Sequence, residues 1–286
     1  MTIAITGATG NFGNLAIRDL LGRDVPAADL VAVVRSPEKA RELADLGVQI
    51  RRADYTDPET LRAAFDGVDR LVFVSGSEVG SRISQHQNVV DAAAATGIQL
   101  VAYTSIVHAD SSKIVLAGEH LATEQMLAAS GVPHVLLRNS WYLENYTGAL
   151  PMYLEYGTVL GAAGDGRVSA ATRADFAAAA ATVVAEDGHA GAVYELGGEP
   201  AFTLAELAYT LSEISGTKVV YQNLDTEALV AALSGAGVPD PMAQVLADSD
   251  LGIARGELFT DSGDLAKLIG RPPTTLARAI RTAFAG

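Results

Sequence analysis

Short apolar runs alternate with amphipathic stretches from the first residues onward, a rhythm that predicts strand–helix units feeding a parallel sheet. Ile3–Thr6, Leu30–Val34, Val48–Arg52, Leu71–Val74, Gln99–Thr104 and His134–Leu137 read as buried strands. Between them the patterning predicts helices from Asn11 to about Leu21, Pro37 to Leu46, Pro58 to Phe65, about Ser84 to Ala95 and about Gly118 to Ser130. Ser36 and Asp57 are placed to cap the second and third of these, each followed by a proline at the first helical position. Beyond residue 139 the rhythm changes. Asn139–Leu160 is rich in aromatics, and an alanine-dense helix follows over Arg173–Glu186. Then come a strand at Val193–Leu196, a helix at Leu204–Ser215, a strand at Val219–Gln222, and C-terminal helices punctuated by Pro239, Pro241, Pro272 and Pro273. No repeat or low-complexity linker divides the chain. The expected fold is α/β, a doubly wound parallel sheet over residues 1–138 with a smaller C-terminal α/β lobe over residues 139–286, interleaved with the sheet. A ligand cleft is expected at the carboxyl ends of the strands.

Composition narrows the class. The 286 residues are 49% hydrophobic and 19% charged, which suits a buried core and not a disordered chain. A formal net charge of −14, with 20 Lys and Arg in no cluster, argues against nucleic acid or an anionic membrane as partner. The absence of cysteine removes disulfides, thiolate catalysis and Cys-based zinc. His86, His134 and His189 are scattered, so no metal site is expected. With no leader-like or membrane-spanning stretch in the sequence, a cytoplasmic enzyme is the expectation.

The first apolar run breaks into Gly7-Ala8-Thr9-Gly10-Asn11-Phe12-Gly13, three glycines spaced three apart between a strand and a helix. That arrangement reads as a phosphate cradle. Gly7 permits the tight turn, Gly10 lets the backbone approach a pyrophosphate, and Gly13 lets the helix pack on the strand. The helix N-terminus then offers free N–H groups and a positive dipole end. The second strand ends in Val34-Arg35-Ser36 where an NAD-selective site would carry an acid. A guanidinium cannot accept from ribose hydroxyls but can clamp a 2′-phosphate, so NADP(H) is expected in preference to NAD(H). An ordinary exposed arginine at a strand end is the alternative. Asp54 follows the third strand and is placed either to accept from an adenine amino group or to cap a turn.

These segments, together with Ala102-Tyr103-Thr104-Ser105 and above all Arg138-Asn139-Ser140-Trp141-Tyr142-Leu143-Glu144-Asn145, resemble the NmrA-like group of atypical short-chain dehydrogenase/reductases. Within it, the chain is similar to the bacterial type-2 NAD(P)H:quinone oxidoreductases, with the triphenylmethane reductases nearby. The similarity runs nearly end to end and includes Gly161–Gly166, Ala171–Asp175 and Asp248-Ser249-Asp250. It implies a Rossmann-like domain binding NADPH and a small-molecule quinone or aromatic acceptor as hydride target. It further implies Ser75, Gly76 and Ser77 on the ribose side, and the loop carrying Asn139, Ser140, Trp141, Tyr142 and Asn145 beside the nicotinamide.

Short-chain reductases acting on ketones use a Tyr-x-x-x-Lys pair, because the alkoxide formed must be protonated. Here the corresponding positions are Leu116 and His120, and Tyr103 has Val107 four residues on. A quinone that accepts hydride yields a far less basic hydroquinone anion, so orientation suffices. Direct hydride transfer to a conjugated acceptor is therefore expected ahead of carbonyl reduction. His120 and Tyr103 remain the candidate proton-handling residues. His108, Trp141 and Tyr142 are the candidate acceptor contacts, although core packing would serve the aromatics equally. A non-catalytic NAD(P)-sensing regulator also fits the missing pair, and dye reduction or isomerisation would keep the enzyme and change the chemistry. Oligomeric state stays open, with a homodimer as one option.

Overall fold

A computed structural model describes residues 1–78 and 80–285. Its elements, in order, are β1 (Ile3–Thr6), α1 (Asn11–Gly22), β2 (Leu30–Val34), α2 (Arg41–Asp45), β3 (Gln49–Arg52), α3 (Pro58–Phe65), β4 (Arg70–Phe73), α4 (Arg82–Thr96), β5 (Leu100–Ile106), α5 (Val115–Ser130) and β6 (His134–Asn139). The second half adds α6 (Glu144–Thr147), α7 (Leu150–Tyr156), β7 (Thr158–Gly161), α8 (Arg173–Ala185), β8 (Val193–Leu196), α9 (Leu204–Ser215), β9 (Val220–Asn223), α10 (Thr226–Gly235), α11 (Asp240–Ala254), α12 (Asp264–Ile269) and α13 (Leu276–Ala285).

Among the described residues, a seven-stranded sheet runs β3-β2-β1-β4-β5-β6-β8 with every pairing parallel. Strand order reverses between β1 and β4, so crossovers to either side of that point place helices on both faces. Alternation along the strands feeds two cores. Ile3, Ile5, Ala32 and Val34 pack toward α1 and α8, whose Ala177, Ala179, Ala180 and Ala181 are small enough for close helix packing. Ala4, Val31, Val33 and Phe73 face the opposite layer with Leu61, Phe65, Val89 and Val90.

A third core joins Ile106, Val107, Ile114 and Ala117 to Tyr146, Tyr153, Val159, Leu204, Leu207 and Ile280 on the lobe side, beside a two-stranded parallel sheet of β7 and β9. Two carboxylates of α11 hold it to its neighbours. Asp248 Oδ2 accepts from Val115 N–H at the start of α5 (2.7 Å), and Asp250 Oδ2 accepts from Ala162 N–H after β7 (2.7 Å). Burial pushes the Asp250 carboxyl up to about 6.

The expected helix over Pro37–Leu46 is split. Pro37–Ala40 forms a tight 3₁₀ turn and α2 starts only at Arg41, with the backbone bent at Ala40 (φ −102°, ψ 16°); Ser36 makes no side-chain cap. Strands β5 and β6 each run two residues past the expected ends, because Ser105↔Arg138 and Ile106↔Asn139 continue the ladder. That extension carries Asn139 to the carboxyl edge of the sheet.

Candidate active site

The β1–α1 turn is built from backbone. Gly7 adopts the left-handed conformation (φ +59°), and Gly10 N–H closes the turn onto Gly7 O at 2.8 Å. A Cβ at Gly13 would lie 2.6 Å from Gly7 O and 2.9 Å from Ala8 Cα, so α1 can sit this close only because residue 13 has none. Helix α1 has no side-chain N-cap and no acid in its first turn, which leaves its positive end unopposed.

The turn forms one end of a cleft of about 500 Å³ along the carboxyl ends of β1, β2 and β4. Gly7, Thr9, Gly10, Asn11 and Phe12 line that end, while Arg35, Ser36, Lys39 and Asp54 line the end beyond β2. Ser75, Gly76, Ser77 and Glu78 make a wall, and Tyr142 and Arg173 reach in from the lobe side of the sheet. A second cavity of about 680 Å³ adjoins it, sharing Thr9, Gly10, Asn11 and Arg173 and extending to Glu144, Thr147 and Gly148.

Electrostatics differ along the cleft. Arg35 and Lys39 are exposed side chains on one rim. Arg35 pairs with Glu78 at 3.1 Å, and Glu78 Oε2 also accepts from Gln85 Nε2 at 2.8 Å. The Asp54 carboxyl is held below its ordinary value by hydrogen bonds from the Thr56 backbone and hydroxyl, so it is ionised at neutral pH. Tyr55 donates its hydroxyl proton to Val74 O (2.7 Å) and lies 2.6 Å from Thr6 Oγ1, tying β1 to the wall; burial pushes its phenol up.

The wall itself is held from beneath. Gly76 N–H donates to His86 Nε2 at 3.0 Å, and His86 Nδ1 lies 2.8 Å from Thr123 Oγ1 on α5. His86 is fully buried, and burial with the nearby Arg82 charge lowers its pKa to about 3, so the ring is neutral and accepts at Nε2. Farther along, Gly80 N–H donates to Glu119 Oε1 at 2.7 Å.

The structure corrects the expected proton-handling pair. Tyr103 is fully buried and His120 nearly so, and neither lines the cleft. The Tyr103 hydroxyl lies 2.9 Å from His120 Nδ1, with Arg82 Nη1 3.4 Å from Nε2. Burial, Arg82 and His86 hold His120 well below its ordinary pKa, and burial raises Tyr103. Neither side chain reaches the cleft, so neither is placed to pass a proton to a ligand held there.

Among the expected cofactor residues, Ala8 and Gly13 are buried behind the turn. Asn139, Ser140, Trp141 and Asn145 line neither cavity. Ser140 is spent structurally, its hydroxyl donating to Leu258 O at 2.7 Å. Asn139 is 3% exposed, and its amide nitrogen and oxygen have no hydrogen-bond partner among the described residues. Asn145 Oδ1 accepts from Arg173 Nη2 at 3.1 Å. Of the expected acceptor contacts, Tyr142 lines the cleft, with burial raising its phenol, whereas Trp141 packs on the lobe core. His108 is directed elsewhere: its backbone is left-handed (φ +54°) and its Nε2 lies 2.8 Å from Phe259 O.

Lys39, Tyr55, Glu78, Gln85, His86 and Arg173 are the site residues that reading the sequence passed over. Lys39 had a signal, four residues after Arg35 in a proline-led turn; the others are brought in by packing. Among the described residues no group of three or more His, Cys, Asp or Glu is arranged to hold a metal ion, and no helix is long and apolar enough to cross a membrane.

Residues 7–187 match the sequence model of a family described as NAD(P)H-binding. The chain is 52% identical to quinone oxidoreductase 2 of Escherichia coli, over 99% of this chain and 98% of that one. It superposes on the crystal structure of the NADPH-dependent quinone oxidoreductase from E. coli complexed with NADPH with a TM-score of 0.97, at 52% identity over 99% of this chain and 100% of the other. The Citrobacter sp. triphenylmethane reductase complexed with NADP(H) gives a TM-score of 0.94 at 43% identity, covering 99% and 100%.

Proposed function

The chain belongs to the NAD(P)H-binding family, and from that premise we propose that it is an NADPH-dependent reductase of quinones or similar planar conjugated acceptors. The observation that carries the reading is one cleft with two anion-attracting ends. A glycine-made helix N-terminus lies at one end and the Arg35–Lys39 rim at the other. The residues suit the dinucleotide. Gly13 lets α1 pack against the Gly7 turn so that its N-terminus meets the cleft, and the first turn of α1 carries no competing acid. Arg35 and Lys39, with the Ser36 hydroxyl between them, would hold a 2′-phosphate. The ionised Asp54 would accept from the adenine amino group, and the wall Ser75–Ser77 would flank the ribose. Bound NADPH supplies a hydride.

This chain's own contribution is orientation. The phenols bordering the cleft, Tyr55 and Tyr142, are raised by burial and are poor proton donors, and the first of these protons is engaged by Val74 O. With Tyr103 and His120 enclosed, the site is built for an acceptor whose reduced anion takes its proton from water. At 52% identity to an E. coli quinone oxidoreductase, quinones are the first acceptors to try.

Steady-state oxidation of NADPH, and separately of NADH, against a panel of benzoquinones and naphthoquinones tests the proposal. Turnover with NADPH preferred is the expected result. Tight NADPH binding without turnover on any acceptor would replace the enzyme with a cofactor sensor.

A further inference from the structure

The glycine cradle sits at one end of the cleft without a cation of its own from the sheet half. Among the described residues lining the two cavities, Arg35 and Lys39 belong to the β2 end. The remaining cation, Arg173, comes from the first residue of α8, far along the chain, and with Thr9, Gly10 and Asn11 it lines both cavities.

Arg173 is prepared in a way that a solvated surface arginine is not. Its guanidinium carbon lies 4.6 Å over the Tyr142 ring, and Nη2 donates to Asn145 Oδ1 at 3.1 Å. Its nearest acid, Glu144, accepts from the Arg173 backbone N–H (2.9 and 3.1 Å) and forms an ion pair with Nη1 at 3.7 Å, too long for a direct hydrogen bond. The stacked fork therefore keeps donors free in a cavity wall it shares with the cradle.

We infer that Arg173 is a diphosphate-binding residue, completing from the lobe side the anion site that the β1–α1 turn begins with backbone N–H groups. This rests on the NADPH reading of the cleft and adds a residue to it. A diphosphate held between backbone donors on one element and a guanidinium on another would link cofactor binding to the Tyr142–Asn145 loop.

Two fragments separate the ends of the cleft by calorimetry on the full chain: ADP, which carries the diphosphate, and 2′-AMP, which carries only the phosphate expected at Arg35. Arg173→Ala is expected to weaken ADP roughly 10- to 100-fold and to leave 2′-AMP unchanged, while Arg35→Ala does the reverse. NADPH and NADH should weaken equally with Arg173→Ala. Asn145→Ala, which keeps the charge but releases its orientation, should weaken ADP by a smaller factor and serves if Arg173→Ala does not fold. Unchanged ADP affinity in both variants overturns the inference and leaves the proposed function standing. A wild-type chain that binds neither ADP nor NADPH overturns the proposed function itself.

Discussion

Two borders of the cleft, the β1–α1 turn and the Ser75–Glu78 wall, are made of different materials. The β1–α1 wall is backbone, a turn closed by Gly10 onto Gly7 with α1 packed where Gly13 has no side chain. The opposite wall, Ser75–Glu78, is shaped by side chains from other elements, with His86 under Gly76, Gln85 on Glu78 and Tyr55 on Val74. A backbone wall has one conformation, set by local sterics. A wall held by side chains depends on the protonation and packing of its props, so it is the adjustable one.

Substitutions can break that contrast. The largest effect is expected from Gly13→Val, whose Cβ meets backbone atoms at 2.6 and 2.9 Å. We expect NADPH binding to fall below detection and stability to drop by about 3 kcal/mol, checked by calorimetry and thermal unfolding. Normal binding would show that the turn is as adaptable as its opposite. Arg35→Glu comes next. NADPH affinity should fall roughly 10- to 100-fold while NADH affinity holds, and equal losses of both would remove Arg35 from cofactor selection.

His86→Ala probes the second wall directly. It leaves Gly76 N–H without its acceptor, while the Thr123 hydroxyl keeps its bond to Glu119 O, at a cost of about 1–3 kcal/mol, and should raise KM for NADPH several-fold with kcat little changed. The same residue sets a pH signature. Its folded pKa, about 3, lies below the ordinary 6.5, so between these values the unfolded chain binds the extra proton. The stabilisation from neutral His86 is complete above 6.5 and is lost as pH falls toward 3. The gap between wild type and His86→Ala, followed by denaturant unfolding, should therefore narrow on acidification; a constant gap would mean the ring is not held neutral.

The smallest effect is expected at Glu78→Gln. Its pair with Arg35 is exposed, with side chains 66% and 51% accessible, so its loss costs little stability. Removing the competing carboxylate should tighten NADPH a few-fold, with most of the gain at low salt. No change would show that Glu78 does not contest the 2′-phosphate rim.

The contrast also explains what could be read along the chain. Strand and helix positions follow from local pattern: β1 and β2 lie where their continuous apolar runs put them, because both of their faces are buried, and α3 starts where the Asp57 cap and Pro58 put it. Helix α2 misled because Pro37 also suits a 3₁₀ turn, and the bend at Ala40 comes from packing. Tyr103 and His120 misled for a different reason: His120 stands at the lysine position of the missing pair, but β5 turns Tyr103 into the layer between sheet and helices, where it meets Phe73 and His120. Nothing local marks Glu78, His86 or Arg173 as a cleft residue, although Glu78 adjoins Ser77 and Arg173 lies in the Ala171–Asp175 segment. Each is an ordinary polar residue until a distant element is packed against it.

By itself, the sequence determined the parallel α/β layering, the glycine turn with its uncapped helix, the basic end of β2, and the lack of a Tyr-x-x-x-Lys pair. All of these are local, encoded by side-chain period or by a missing Cβ within a few residues. Tertiary structure alone decided which charges share the cleft, which histidine stands beneath the wall, and which candidate proton donors are sealed from solvent. Those outcomes depend on contacts between residues far apart in the chain, and on the burial that moves their pKa values, neither of which has any periodicity along the sequence.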